Sequence, residues 1–87
     1  MKTFPLYVDP GHAWAKVPVA LLNMLQIANN ITRFSYCKNG SAYLEEDRDL
    51  ATFIGAYRNT YGVNPQFVER HSNRDSRIRS YPSYIKS

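Results

Sequence analysis

Four carboxylates fall within five positions in "EEDRD", at Glu45, Glu46, Asp47 and Asp49, a density that invites metal binding or general acid–base chemistry. A hard cation needs several oxygen ligands converging from different backbone directions, and the Asp-x-Asp-x-Asp-Gly loop that would deliver them is absent. Acids just ahead of an apolar helical run are more simply a helix start. Asp47 can accept backbone N–H bonds as an N-cap, while its neighbours offset the positive helix end. His12, Cys37 and Asp9 have the types of a base, a nucleophile and an orienting acid. Their spacing places them on no common element, and a lone cysteine is more often a small buried hydrophobe. His12 and His71 lack the neighbouring ligands of a zinc site. The expectation is a protein without catalytic residues, metal or cofactor.

Binding chemistry is better represented. His12 and Trp14 follow the turn sequence "DPG", and Tyr36 and Tyr43 flank Asn39-Gly40. Trp and Tyr dominate interface energies where they are partly accessible, so His12, Trp14, Tyr36 and Tyr43 form the candidate partner-binding set. The alternative for the same residues is structural: a turn histidine, a core tryptophan and a cross-strand tyrosine pair. The second candidate set lies at the C-terminus. Residues 1–69 balance six Lys/Arg against six Asp/Glu, whereas residues 70–87 hold Arg70, Arg74, Arg77, Arg79 and Lys86 against Asp75 alone, which accounts for the whole formal charge of +4. With Tyr81 and Tyr84 interleaved, these are the types that contact phosphates, stack on unpaired bases or meet an acidic surface. A solubilising disordered end has the same composition.

The elements that must position these residues can be read locally. "FPLYV" and "HAWAKV" on either side of "DPG" predict a first hairpin, with His12, Trp14 and Lys16 on one side and Ala13, Ala15 and Val17 on the other. Pro18 suits a first helical turn, Leu21, Leu22, Leu25 and Ala28 make one stripe, and Asn29-Asn30 can end that helix. Asn39-Gly40 predicts a type I′ turn, hence the pairs Lys38–Ser41, Cys37–Ala42 and Tyr36–Tyr43. Leu50, Phe53, Ile54, Tyr57 and Tyr61 recur at helical spacing and Gly62 supplies the stop. "QFVER" reads as a last short strand or docking segment. The fold class is α+β: a small antiparallel sheet of two hairpins with two helices in the order ββαββα, residues 1–69 forming one domain and 70–87 a basic tail.

At 87 residues with 44% hydrophobic side chains, the chain has room for one small core and none for a large enclosed active site. One cysteine closes no internal disulfide, which favours a reducing compartment. The longest apolar stretch, Val17 to Ala28, is too short and too interrupted for a bilayer span, and the first residues do not read as a signal peptide. No membrane partner is expected.

"DPGHAWAKVP" and "FSYCKNGSAYLEEDRD" together resemble a group of small, mostly uncharacterised proteins encoded by bacteriophages, prophages and plasmids. Its members share a His-x-Trp segment leading to a Val-Pro helix start and a hairpin ending in Tyr-Leu-Glu-Glu-Asp. The resemblance spans roughly residues 7 to 55; the basic tail lies outside it. It implies a mobile-element accessory protein of the bacterial cytoplasm and carries over no catalytic residues. The expected function is non-enzymatic: binding and inhibiting or modulating a host protein or ribonucleoprotein complex, such as a defence nuclease in the anti-CRISPR manner. The alternative is a small nucleic-acid-binding module acting through the Arg/Tyr-rich tail.

Overall fold

The computed structural model describes residues 3–85. Its order is β1 (Thr3–Val8), β2 (Ala13–Pro18), α1 (Val19–Met24), a 3-10 turn (Ala28–Asn30), β3 (Tyr36–Lys38), β4 (Ser41–Glu45), α2 (Asp49–Tyr61), β5 (Gln66–His71) and a second 3-10 turn (Arg77–Ser80). The class is α+β, and the sheet has five strands ordered β3-β4-β2-β1-β5.

The sheet corrects the expectation of a purely antiparallel pair of hairpins, because β5 runs parallel to β1, with Phe4 opposite Phe67 and Tyr7 opposite Arg70. Strand β4 is antiparallel to β2 and so runs in the same direction as β1. Helix α2 carries the chain back along the sheet, so the next strand must start at the same end as β4. A parallel neighbour for β1 is the geometric consequence.

Helix α1 is also shorter than its apolar stripe suggests. It ends at Met24, Gln26 takes a left-handed φ of 60°, and two bonds close the end: Ile27 N–H to the Leu22 carbonyl and Gln26 N–H to the Asn23 carbonyl, both 3.0 Å. This is a Schellman closure with its usual apolar contact, since Ile27 and Leu22 both sit in the main core. Placing Leu25 and Ile27 in that core offsets the roughly 1 kcal/mol cost of a non-glycine residue in this conformation.

The second hairpin has the expected register, Tyr36 opposite Tyr43 and Cys37 opposite Ala42. Asn39 and Gly40 take φ of 54° and 82°, as a type I′ turn requires. Alternation along the strands then separates two cores. On one face Phe4, Val17, Ala42 and Leu44 pack with Phe53 and Tyr57 of α2 and with Leu22 of α1. On the other, Trp14 and Tyr43 pack with Ile78, and Tyr7, Tyr36 and Tyr81 lean on them. The second face is covered by the C-terminal segment.

Arg70 and His71 close β5, and residues 72–85 return across the molecule. Cys37 N–H donates to the Pro82 carbonyl at 2.9 Å, Tyr84 N–H donates to the Ser35 carbonyl at 2.8 Å, and Tyr36 bridges Ser83. These bonds cover the β3 edge that would otherwise stand open. Tyr84 is buried in the helix-side core, and its hydroxyl donates to the Ala28 carbonyl at 2.6 Å. Burial, with lesser contributions from Cys37 and Asp49, raises the Tyr84 phenol above its ordinary value.

Candidate functional site

The first candidate site is built on the latch that holds the C-terminal segment. Asp9 opens the "DPG" turn, and its Oδ1 accepts the Gly11 and His12 N–H groups at 3.0 and 2.8 Å, an Asx turn. Its Oδ2 accepts the Ser76 N–H and the Arg79 Nε–H, both at 2.9 Å. Arg79 also donates from Nη2 to Asp9 Oδ1 at 3.1 Å and to His12 Nδ1 at 2.9 Å. The Asp9 side chain is fully buried. The Arg79 guanidinium, then the Ser76 N–H, hold its carboxyl well below the usual carboxylate range, and burial opposes them only in part. A Cβ on Gly11 would lie 3.1 Å from Arg79 Nη2, so glycine here serves the close approach of the guanidinium. Above the latch, Arg79 sits 5.4 Å from the Trp14 ring and His12 stacks on the same ring at 5.8 Å.

Beside this latch lies a cleft of about 430 Å³ lined by His12, Trp14, Phe34, Tyr36, Glu45, Asp47, Arg48 and Arg79. Trp14 is almost fully buried, whereas Phe34 is 72% exposed. Phe34 owes this position to the loop between Ile31 and Ser35, held from beneath by Asp49. That carboxylate is buried and accepts both the Thr32 N–H and hydroxyl and the Ser35 hydroxyl. Ser35 Oγ in turn accepts the Glu45 N–H at 3.0 Å. The expected Asp47 cap is corrected here. Glu45 caps α2, its carboxylate accepting the N–H groups of Asp47, Arg48 and Asp49 at 2.7, 2.8 and 2.7 Å. A longer side chain two residues further back reaches all three donors, which leaves Asp47 exposed at the cleft rim.

A second cleft, of about 510 Å³, opens on the far side of the C-terminal segment, lined by Tyr7, Tyr43, Ser72, Arg74, Asp75, Ser76, Arg77, Ile78 and Tyr81. Tyr43 packs edge-on against Tyr81 with centroids 5.1 Å apart, and Lys38 Nζ lies 4.6 Å from the Tyr81 centroid. Burial and the neighbouring Tyr81 and Tyr7 raise the Tyr43 phenol above its ordinary value.

The structure thus brings His12, Trp14 and Tyr36 to the first cleft together with Arg79, and places Tyr43, Tyr81, Arg74 and Arg77 around the second. Arg70 lies on β5 beside Tyr7, Tyr84 is interior, and Lys86 lies outside the described residues. Phe34 and Arg48 join the first site without having been singled out by residue type, and Asp9, weighed in the sequence only as an orienting acid, serves it instead as the carboxylate of the latch. The in-phase spacing of Phe34 and Tyr36 in "RFSY" was the available signal for Phe34. Cys37 is on the helix side of the sheet, against the main core, and so on the opposite face from the cleft that holds His12 and Tyr36. Among the described residues no three His, Cys, Asp or Glu side chains are placed to hold a metal ion, and no helix is long and apolar enough to cross a membrane. Compared with protein-family models, curated proteins and solved structures, the chain matches none of them.

Proposed function

We propose that the protein acts by binding, not by catalysis, and that the Trp14–Phe34–Tyr36 cleft seats a protein surface of a host macromolecular complex, whose activity it thereby blocks or modulates. The observation that carries this reading is Phe34, 72% exposed at the mouth of a cleft floored by a buried tryptophan. A large exposed aromatic beside an apolar floor is the anatomy of an interface hot spot. Charges of both signs, Asp47 and Arg48, stand at the rim, which suits a mixed protein surface better than a polyanion. The bacterial and mobile-element setting rests on the resemblance of residues 7 to 55. A partner such as a defence nuclease complex is the corresponding proposal.

The test is purification of the tagged protein from bacterial cells with and without nuclease treatment, beside a Phe34→Asp variant. A protein partner should survive the nuclease, and Phe34→Asp should weaken its binding by about 30-fold or more, the size of a hot-spot loss, at unchanged melting temperature. A partner retained equally by Phe34→Asp would overturn the assignment to this cleft. Recovery of nucleic acid alone would overturn the protein reading.

A further inference from the structure

The second cleft differs from the first in charge and in the chemistry of its walls. We infer that it is a binding site for single-stranded nucleic acid, one nucleotide unit of which sits between the tyrosines Tyr7 and Tyr81 and the guanidinium groups of Arg74 and Arg77. Three observations carry this. First, the cations are unspent. Among the described residues Arg79 pairs with Asp9 and His71 bonds Glu69; among them, no carboxylate lies within ion-pair distance of Arg74 or Arg77, and both arginines are exposed. Second, the apolar wall is made of rings that keep part of their surface accessible: Tyr7 and Tyr81 are half-buried, backed by the buried Tyr43 and Ile78. Flat π-faces beside guanidinium groups match a base joined to a phosphate. Third, the positive charge continues beyond the cleft in both directions. Lys38 stands over Tyr81, and Arg70 pairs in register with Tyr7. Four cations thus follow one track, with Asp75 as the single carboxylate lining the cleft.

A run of charge longer than one phosphate favours a strand over a free nucleotide, and the volume of about 510 Å³ accommodates a ring with its sugar, being within the roughly 300–1,000 Å³ of ligand clefts. A duplex would keep its base faces stacked away from the tyrosines, so the strand must be unpaired. This goes beyond the protein-binding proposal and is independent of it, since the two clefts share none of their lining residues.

The test is fluorescence anisotropy of the full chain with labelled oligothymidylate and, separately, the same strand annealed into a duplex. Wild type should prefer the single strand, with log affinity falling against log salt at a slope approaching about −2.8 for four neutralised phosphates, and about −1.4 when Arg74→Ala and Arg77→Ala are combined. Both arginines are exposed, so the double variant should fold normally and lose at least about tenfold in affinity at moderate salt. Tyr81→Phe should retain binding and Tyr81→Ala should lose about tenfold, the effect of one stacked base. Undiminished binding by the folded double variant would overturn the site, as would displacement by inorganic phosphate at concentrations no higher than the oligonucleotide. Binding of a phosphotyrosyl peptide but not the oligonucleotide would also overturn it. Phe34→Asp should leave the anisotropy curve unchanged; equal loss in that variant would place the strand in the other cleft and overturn this one.

Discussion

The two faces of the sheet are packed by different means. The helix side is closed mainly by aliphatic residues and phenylalanine, with Leu22, Leu44, Val17 and Phe53 all fully buried, Phe4 set edge-on to Phe53 at 5.4 Å, and Tyr57 and Tyr84 as its two buried tyrosines. The other side is closed by Trp14, four tyrosines and one isoleucine, and its cover is a segment with little regular structure, held by the buried Asp9 carboxylate, by Ile78 and by backbone bonds to Ser35 and Cys37. Amphipathic rings pack an apolar body while presenting a polar end to the surface. That side therefore stabilises the domain and also presents the two candidate clefts. Both candidate binding sites sit where the packing is aromatic and the cover is tied by polar contacts.

The contrast can be broken from either side. Phe53→Ala should cost the most, about 3–5 kcal/mol, and unfold both faces together in urea, because the helix side holds the sheet itself. Ile78→Ala should cost about 2–5 kcal/mol in the same titration. It should also expose the segment around Arg74 and Arg77 to trypsin before the rest of the chain; simultaneous cleavage throughout would mean that the two faces are one cooperative unit. The latch should show its own acid response. A carboxyl with a depressed folded value contributes stability that is complete above its unfolded value of about 3.9 and is lost as the pH falls below that. Trp14 fluorescence should therefore report loosening below about pH 4, and Asp9→Asn should abolish that component of the titration. An acid profile unchanged in Asp9→Asn would remove the latch from the account. The smallest effects sharpen the cap assignment: Glu45→Ala should cost about 1 kcal/mol of stability and Asp47→Ala less than about 0.5 kcal/mol. A larger loss for Asp47→Ala would restore Asp47 as the cap.

Much of the fold was legible wherever the deciding interactions span a few residues. Asn39-Gly40 specified its own turn because both positions need positive φ, and that turn set Tyr36 against Tyr43. The stripe from Leu50 to Tyr61 and the stop at Gly62, whose N–H meets the Arg58 carbonyl at 2.8 Å, are likewise properties of one helix. The aromatic types at His12, Trp14 and Tyr36 marked a surface that the tertiary structure does gather into a cleft. Phe34 was hidden because its exposure depends on the path of a loop tied down by Asp49. Asp49, 14 to 17 residues from its partners, holds its loop in an irregular path that no local propensity encodes.

What the sequence by itself determined about this protein is the set of local elements, the α+β class and the concentration of positive charge after Glu69. What only the tertiary structure decided is where that charge goes. Arg79 is spent on a carboxylate 70 positions away, Tyr84 enters the helix-side core, and Arg74 and Arg77 are left beside Tyr7 and Tyr81. The physical reason is that composition measures how much apolar surface a segment has, and residues 70–87 have little of their own. The placement of residues 72–85 comes from surface already presented by the sheet: Trp14 and Tyr43 offer Ile78 a place to bury, and Asp9 offers Arg79 a buried partner. The parallel placement of β5 has the same origin, since it follows from the direction in which α2 returns the chain and from the free edge of β1, neither of which is written in "QFVER".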